Sequence, residues 1–185
     1  IIVSERFRFV YMKPCRTGGT SILRKTLEHL PLDTFHFKDH RGRFLKWLHS
    51  IDDDELKSYR FFSFVRNPWD RAVSVASYFR IPLGSFLANF ANLTARDPQL
   101  LQHALPLYQY THQNDRAFVD MLGRFERLQE DFDAICRELD IAPRIKLVVS
   151  NRSERAHYSG YYNAANHLTL NKLYDKDIKL FGYEF

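Results

Sequence analysis

The 185 residues of this chain, 45% of them hydrophobic and 26% charged, have the composition of a globular protein long enough to bury a core, most simply as one domain over residues 1–185. A net charge of +5, from 27 Lys and Arg against 22 Asp and Glu, suits an anionic ligand. No run reaches the roughly 18 to 20 apolar residues of a membrane-crossing helix, and two cysteines are too few for a disulfide scaffold or a cysteine zinc site. No signal peptide is visible, although a chain that opens at Ile1 leaves a removed leader or anchor open.

The first informative stretch is Phe9-Val10-Tyr11-Met12-Lys13-Pro14-Cys15-Arg16-Thr17-Gly18-Gly19-Thr20-Ser21-Ile22. Phe7 and Phe9 to Met12 form an apolar, aromatic and β-branched run that predicts a strand. Gly18 and Gly19 supply a turn that tolerates positive φ and close approach of a ligand. Thr20 and Ser21 are expected to cap a helix through Leu23, Leu27 and Leu30. Such a turn aims backbone N–H groups and the positive helix end at one point, and Arg16 adds a planar donor fork beside them. This reads as a phosphate or sulfate cradle; the plainer alternative is an ordinary strand-to-helix turn with a surface arginine. It is not the G-x-x-x-x-G-K-[ST] nucleotide loop, because Lys13 and Arg16 precede the glycines. Cys15, beside Arg16 and the helix start, is expected to have a lowered pKa but to be a bystander.

Pro31 ends the first helix, residues 34–38 alternate as a short strand would, and Arg43 to Ser50 is predicted helical. Asp52-Asp53-Asp54-Glu55 suits a solvated helix start better than a metal site. Then Phe61-Phe62-Ser63-Phe64-Val65-Arg66-Asn67-Pro68-Trp69-Asp70-Arg71-Ala72-Val73-Ser74 repeats the strand–turn–helix pattern. Asn67 can cap, Pro68 fits the first helical position, and Trp69, Ala72, Val73 and Ala76 form the apolar stripe. Two such units predict an α/β fold with a parallel sheet, where ligands bind beyond the carboxyl ends of the strands. Arg66 and the first loop would then share one rim as a two-part anion site. Further on, Phe132, Ile135, Cys136 and Leu139 mark a helix face that makes Cys136 a buried thiol.

The pair PCRTGGTSI and FVRNPWDRAVS resembles the two cofactor motifs of the PAPS-dependent sulfotransferases, and most closely their carbohydrate sulfotransferase-like branch. Phe86 to Phe90 is similar to that family's F-x-x-F helix, Gly123 to Phe132 to its segment around a glutamate, the stretch from Ser150 to Tyr162 to its N-x-S segment, and the last thirteen residues to its carboxyl end. The resemblance implies a P-loop NTPase-like three-layer α/β/α fold around a central, mostly parallel sheet. It implies transfer of a sulfuryl group from PAPS to an acceptor hydroxyl, with PAP released, no metal required, and a carbohydrate as acceptor. Carried over by position, Arg16, Thr17, Gly18, Gly19, Thr20 and Ser21 would hold the 5′-phosphosulfate, and Arg66 with Ser74 the 3′-phosphate. Ser153 and Arg155, in a tail rich in basic and aromatic residues, are further cofactor candidates. Arg16 stands where the family has lysine, so the resemblance implies a catalytic cation that is either Arg16 alone or Arg16 with Lys13 taking part of the role.

A base must take the acceptor proton. His40, in an expected exposed turn between the two motifs, is the first choice, ahead of His36, Asp39 and Glu126, whereas His103 and His112 default to surface positions. Two other readings stand beside this one. A nucleotide kinase-like phosphotransferase lacks G-K-[ST] and a magnesium-binding acid here. A non-catalytic binder of PAP or anionic glycans would make Arg16 a mark of lost activity. The scattered basic residues argue against nucleic acid. A bacterial protein of this kind would be cytoplasmic and a trimmed eukaryotic one would sit in the Golgi lumen; the oligomeric state leaves no signature.

Overall fold

A computed structural model describes residues 1–30, 34–36, 42–141, 145–147 and 156–185, without the side chains of residues 27, 34–36, 42 and 43. The amino-terminal half runs β1 (Ile2–Ser4), β2 (Phe9–Met12), α1 (Gly19–His29), β3 (Thr34–His36), α2 (Gly42–Ser50), α3 (Asp53–Lys57), β4 (Arg60–Val65) and α4 (Pro68–Tyr78). Then follow α5 (Leu83–Ala88), α6 (Phe90–Arg96), α7 (Pro98–Ala104), a small hairpin of β5 (His112–Gln113) and β6 (Arg116–Ala117), β7 (Met121–Arg124), α8 (Leu128–Glu138), α9 (Ala164–Leu173) and α10 (Asp175–Phe181). Side-chain carboxylates and amides start many of the helices. Asp52 accepts from the Glu55 N–H, Asn67 from Asp70 with Pro68 opening α4, and Asp97 from Gln99 and Leu100 with Pro98 opening α7.

Among the described residues the main sheet has the order β3-β1-β2-β4-β7. Strands β2, β4 and β7 are adjacent and parallel, with Tyr11 opposite Phe62 and Phe64 opposite Gly123. Strand β1 runs against both β2 and β3, so the other four strands point one way and the sheet is mostly parallel. The pairing of β1 is absent from the sequence-based expectation, since three residues are too few to show a period.

Alternation along the strands sends side chains to two apolar layers. Phe9, Tyr11, Phe62 and Phe64 pack with Ile22 of α1 and with Leu128, Phe132, Ile135 and Cys136 of α8. Val3 and Val10 face the other way, onto Phe44, Trp47 and Leu48 of α2. Helices therefore cover both faces, as a mostly parallel sheet requires. A third cluster gathers α4 with α5, α7, α9 and α10 around Trp69, Phe86, Leu100 and Tyr174. Among the described residues no helix is long and apolar enough to cross a membrane.

Gly123 lets the aromatic layer close. A Cβ there would lie 2.3 Å from Cε1 of Phe64, whose ring is fully buried. Gly123→Ala is expected to cost about 1–3 kcal/mol through overpacking. Urea unfolding measures it, and an alanine variant as stable as the parent would refute the account of that packing.

Candidate functional site

The parallel order of β2, β4 and β7 sets their carboxyl ends side by side, and a cleft of about 290 Å³ opens beyond them. Its lining includes Lys13, Cys15, Arg16, Gly18, Gly19, Thr20 and Ser21 from the first loop, Arg66 from the second, Phe125 after β7, and Tyr78 and His103 from α4 and α7.

The first loop makes its turn with two left-handed residues, Arg16 at φ +66° and Gly18 at φ +80°. At Gly18 a side chain would be strained by the backbone and would strike Leu128, 2.6 Å away. The expected capping by Thr20 and Ser21 is corrected: Gly18 is the cap residue, no side chain caps α1, and no acid lies in its first turn. Both residues lie within the first turn and are part of the cleft lining. Thr17 is fully buried and donates to the Pro14 carbonyl at 3.0 Å, so its side chain shapes the loop and does not reach the cleft. The stem of Lys13 lies along Gly19, where a Cβ would come within 2.7 Å of its Cγ. The Lys13 ammonium makes no hydrogen bond or ion pair with a described residue, and burial lowers its pKa.

Arg16 and Arg66 meet on one rim. Arg66 Nη1 donates to the Arg16 carbonyl at 2.9 Å, while Nε and Nη2 hold the Asp70 carboxylate at 2.8 and 2.7 Å. Its guanidinium lies 4.0 Å from the centre of the Phe125 ring. Arg16 reaches across to α4, where Nε and Nη2 both donate to Ser74 Oγ at 3.0 and 2.8 Å, and its guanidinium sits over Tyr78 at 5.0 Å. Ser74 is thus bound to Arg16, behind the cleft surface. Asp70, Ser74 and Tyr78 are spaced by four and share one face of α4. That spacing is the signal by which Tyr78 could have been found.

A buried arginine ties these parts together. Arg71 is 2% exposed and donates to three carbonyls: Cys15 at 3.3 Å, His103 at 2.7 Å and Leu105 at 2.8 Å. It joins the first loop to the end of α7, where His103 lies half-buried at the surface and lines the cleft, a role the sequence left unassigned. His103 stacks on Tyr78 with ring centres 5.0 Å apart. Its Nδ1 lies 2.9 Å from the Gln99 carbonyl.

Several expectations change. The lowered pKa expected of Cys15 is corrected: burial raises it, and the opposing pull of Lys13, Arg71 and Arg16 is weaker. Burial likewise pushes the Cys136 thiol up to about 12. Glu126 spends one oxygen on the Asn67 N–H at 2.6 Å and the other on the Tyr183 hydroxyl at 3.1 Å, which makes it a brace for the second loop. His40, Asp39, Ser153 and Arg155 lie outside the described residues, and of His36 only the backbone, in β3, is described.

The lining carries Lys13, Arg16 and Arg66 and, among the described residues, neither Asp nor Glu. Asp70, outside the lining, pairs with Arg66. Three convergent cations at an uncapped helix start favour a multiply charged anion. Among the described residues no group of three or more His, Cys, Asp or Glu is placed to hold a metal ion. No family model and no solved structure matches the chain. It is similar to an uncharacterized protein of Archaeoglobus fulgidus, 29% identical over 101 residues that span 52% of this chain and 80% of that protein.

Proposed function

We propose that the chain is a PAPS-dependent sulfotransferase of P-loop NTPase-like architecture, acting on a hydroxylated acceptor of carbohydrate type. The observation that carries this reading is the shared rim, where Arg66 bonds the Arg16 carbonyl at 2.9 Å so that both arginines face one cleft. The resemblance demands that meeting of two loops 50 residues apart, and an unrelated pair of strand-to-helix turns does not. The donor substrate supplies an activated sulfuryl group on a phosphate leaving group. Lys13, Arg16 and the first-turn N–H groups of α1 would bind its 5′ end and take up charge as the leaving oxygen develops it. Arg66, oriented by Asp70 and Phe125, would recognise a second phosphate. Ser74 would act through Arg16 by fixing its fork.

A thermal-shift titration tests this. PAP at about one hundred times its Kd is expected to add about 2.7 kcal/mol of stability. A shift with ATP and Mg²⁺ in place of PAP would turn the reading to a phosphotransferase. A shift only with a polyanion such as heparin would leave a non-catalytic binder.

A further inference from the structure

We infer that His103 is the general base that deprotonates the acceptor hydroxyl, through its Nε2. The inference rests on the sulfuryl-transfer reading and goes beyond it by assigning the proton acceptor to a helix that neither cofactor motif contains.

Chemistry narrows the choice first. Among the described residues lining the cleft there is no carboxylate, and His103 is the one imidazole. The Cys15 thiol is held protonated by burial. Lys13 and the arginines are cations with no lone pair to offer while charged.

The tautomer follows from the hydrogen bond. A carbonyl only accepts, so the 2.9 Å contact with Gln99 puts the proton on Nδ1 and the lone pair on Nε2. The ring is held on several sides. Tyr78 stacks on it at 14° between planes, Phe79 meets it edge-on at 5.2 Å, and Arg71 grips its carbonyl. A base fixed this firmly loses little freedom when the acceptor arrives.

The resting charge is also right. Burial, the largest cause, lowers the imidazole pKa from 6.5; the Gln99 carbonyl bond pulls it back up, and Arg16, Arg71 and Lys13 add to the lowering, so the net direction is down. The other groups around it are Cys15, held protonated, the Tyr78 phenol, and Tyr110, whose pKa burial pushes up to about 12. His103 is therefore neutral at pH 7 and able to accept. A bound polyanion would offset the three cations and raise its basicity, so the donor's arrival prepares the base. In the transfer step the acceptor oxygen forms a bond to sulfur and its proton passes to His103 Nε2. The bond from sulfur to the 5′-phosphate oxygen breaks with its electron pair left on PAP, beside Arg16 and Lys13. The imidazolium then returns its proton to solvent.

The test uses the whole chain, PAP, and PAPS with N-acetylglucosamine as probe acceptor. His103→Asn retains a donor toward the Gln99 carbonyl and removes Nε2, and the ring signal it deletes assigns His103 in nitrogen-15 NMR. The expected spectrum at pH 7 is a neutral Nδ1–H imidazole, with a titration midpoint below 6.5 that rises when PAP is added. His103→Asn is expected to bind PAP within about threefold of the parent while PAPS consumption falls by about 10²-fold or more. A ring already charged at pH 7, an Nε2–H tautomer, or a midpoint indifferent to bound PAP would overturn the base assignment and leave the donor site standing. PAPS consumption unchanged in the variant would do the same. Failure of the parent protein to bind PAP would overturn the donor reading and the inference with it.

Discussion

Arg16→Ala is expected to lower sulfuryl transfer by about 10²- to 10³-fold, the loss typical of removing one charged donor that faces developing negative charge. The side chain is already organised before any ligand enters, with Ser74 accepting from two of its nitrogens and Tyr78 beneath it. The catalytic cost should therefore appear without much unfolding, because alanine at φ +66° is strained to the same degree as arginine. Arg16→Lys separates charge from geometry. Lysine keeps the cation, and is the residue the resemblance would place there, but cannot give Ser74 a two-nitrogen grip. We expect the lysine variant to retain most PAP affinity and the alanine variant to lose it. Calorimetric titration with PAP and the rate of PAP release from PAPS measure both. An alanine variant that binds and transfers like the parent would remove Arg16 from the mechanism.

The largest stability effect is expected at Arg71. Its guanidinium is buried and satisfied by backbone carbonyls of Cys15, His103 and Leu105. Arg71→Met keeps the volume and strands three acceptors, each worth about 1–3 kcal/mol when left buried and unpaired. The removed charge no longer has to be desolvated, which returns part of that cost. A net loss of about 3 kcal/mol, or about 6–12 °C in Tm for a domain of this size, is the expected result. Differential scanning calorimetry decides it, and a loss under about 1 kcal/mol would mean that water or rearranged backbone replaces the guanidinium. Because the same three bonds position the first loop and His103, the methionine variant should also bind PAP more weakly at temperatures where it is folded.

Much of the cleft was legible because its first-loop and second-loop parts are local. The turn at Gly18, the cap at Asn67, the proline opening α4 and the strands before each loop are written in neighbouring residues, and all of them form. What the sequence did not disclose is long-range. Arg71 bonds residues 32 to 56 positions away, and one of those bonds ties the His103 backbone to the first loop. A single histidine in a short helix has no periodic partner to mark it. Nor does a local pattern show whether Arg16 will turn to Ser74, since the serine looks the same facing solvent or facing a guanidinium. Cys15 illustrates a different limit. Cationic neighbours are visible in sequence and burial is not, and here burial decides the direction of its pKa.

The adjacency of β2, β4 and β7 bears on how the protein matures. The bonds that close the cleft span 58 residues between Arg16 and Ser74 and 50 between Arg66 and Arg16. Contacts so distant along the chain form only after the entropy of closing the intervening loops has been overcome. The cleft is therefore expected to close late in folding, and the anion binding proposed for it would belong to the finished sheet, not to a peptide excised from it.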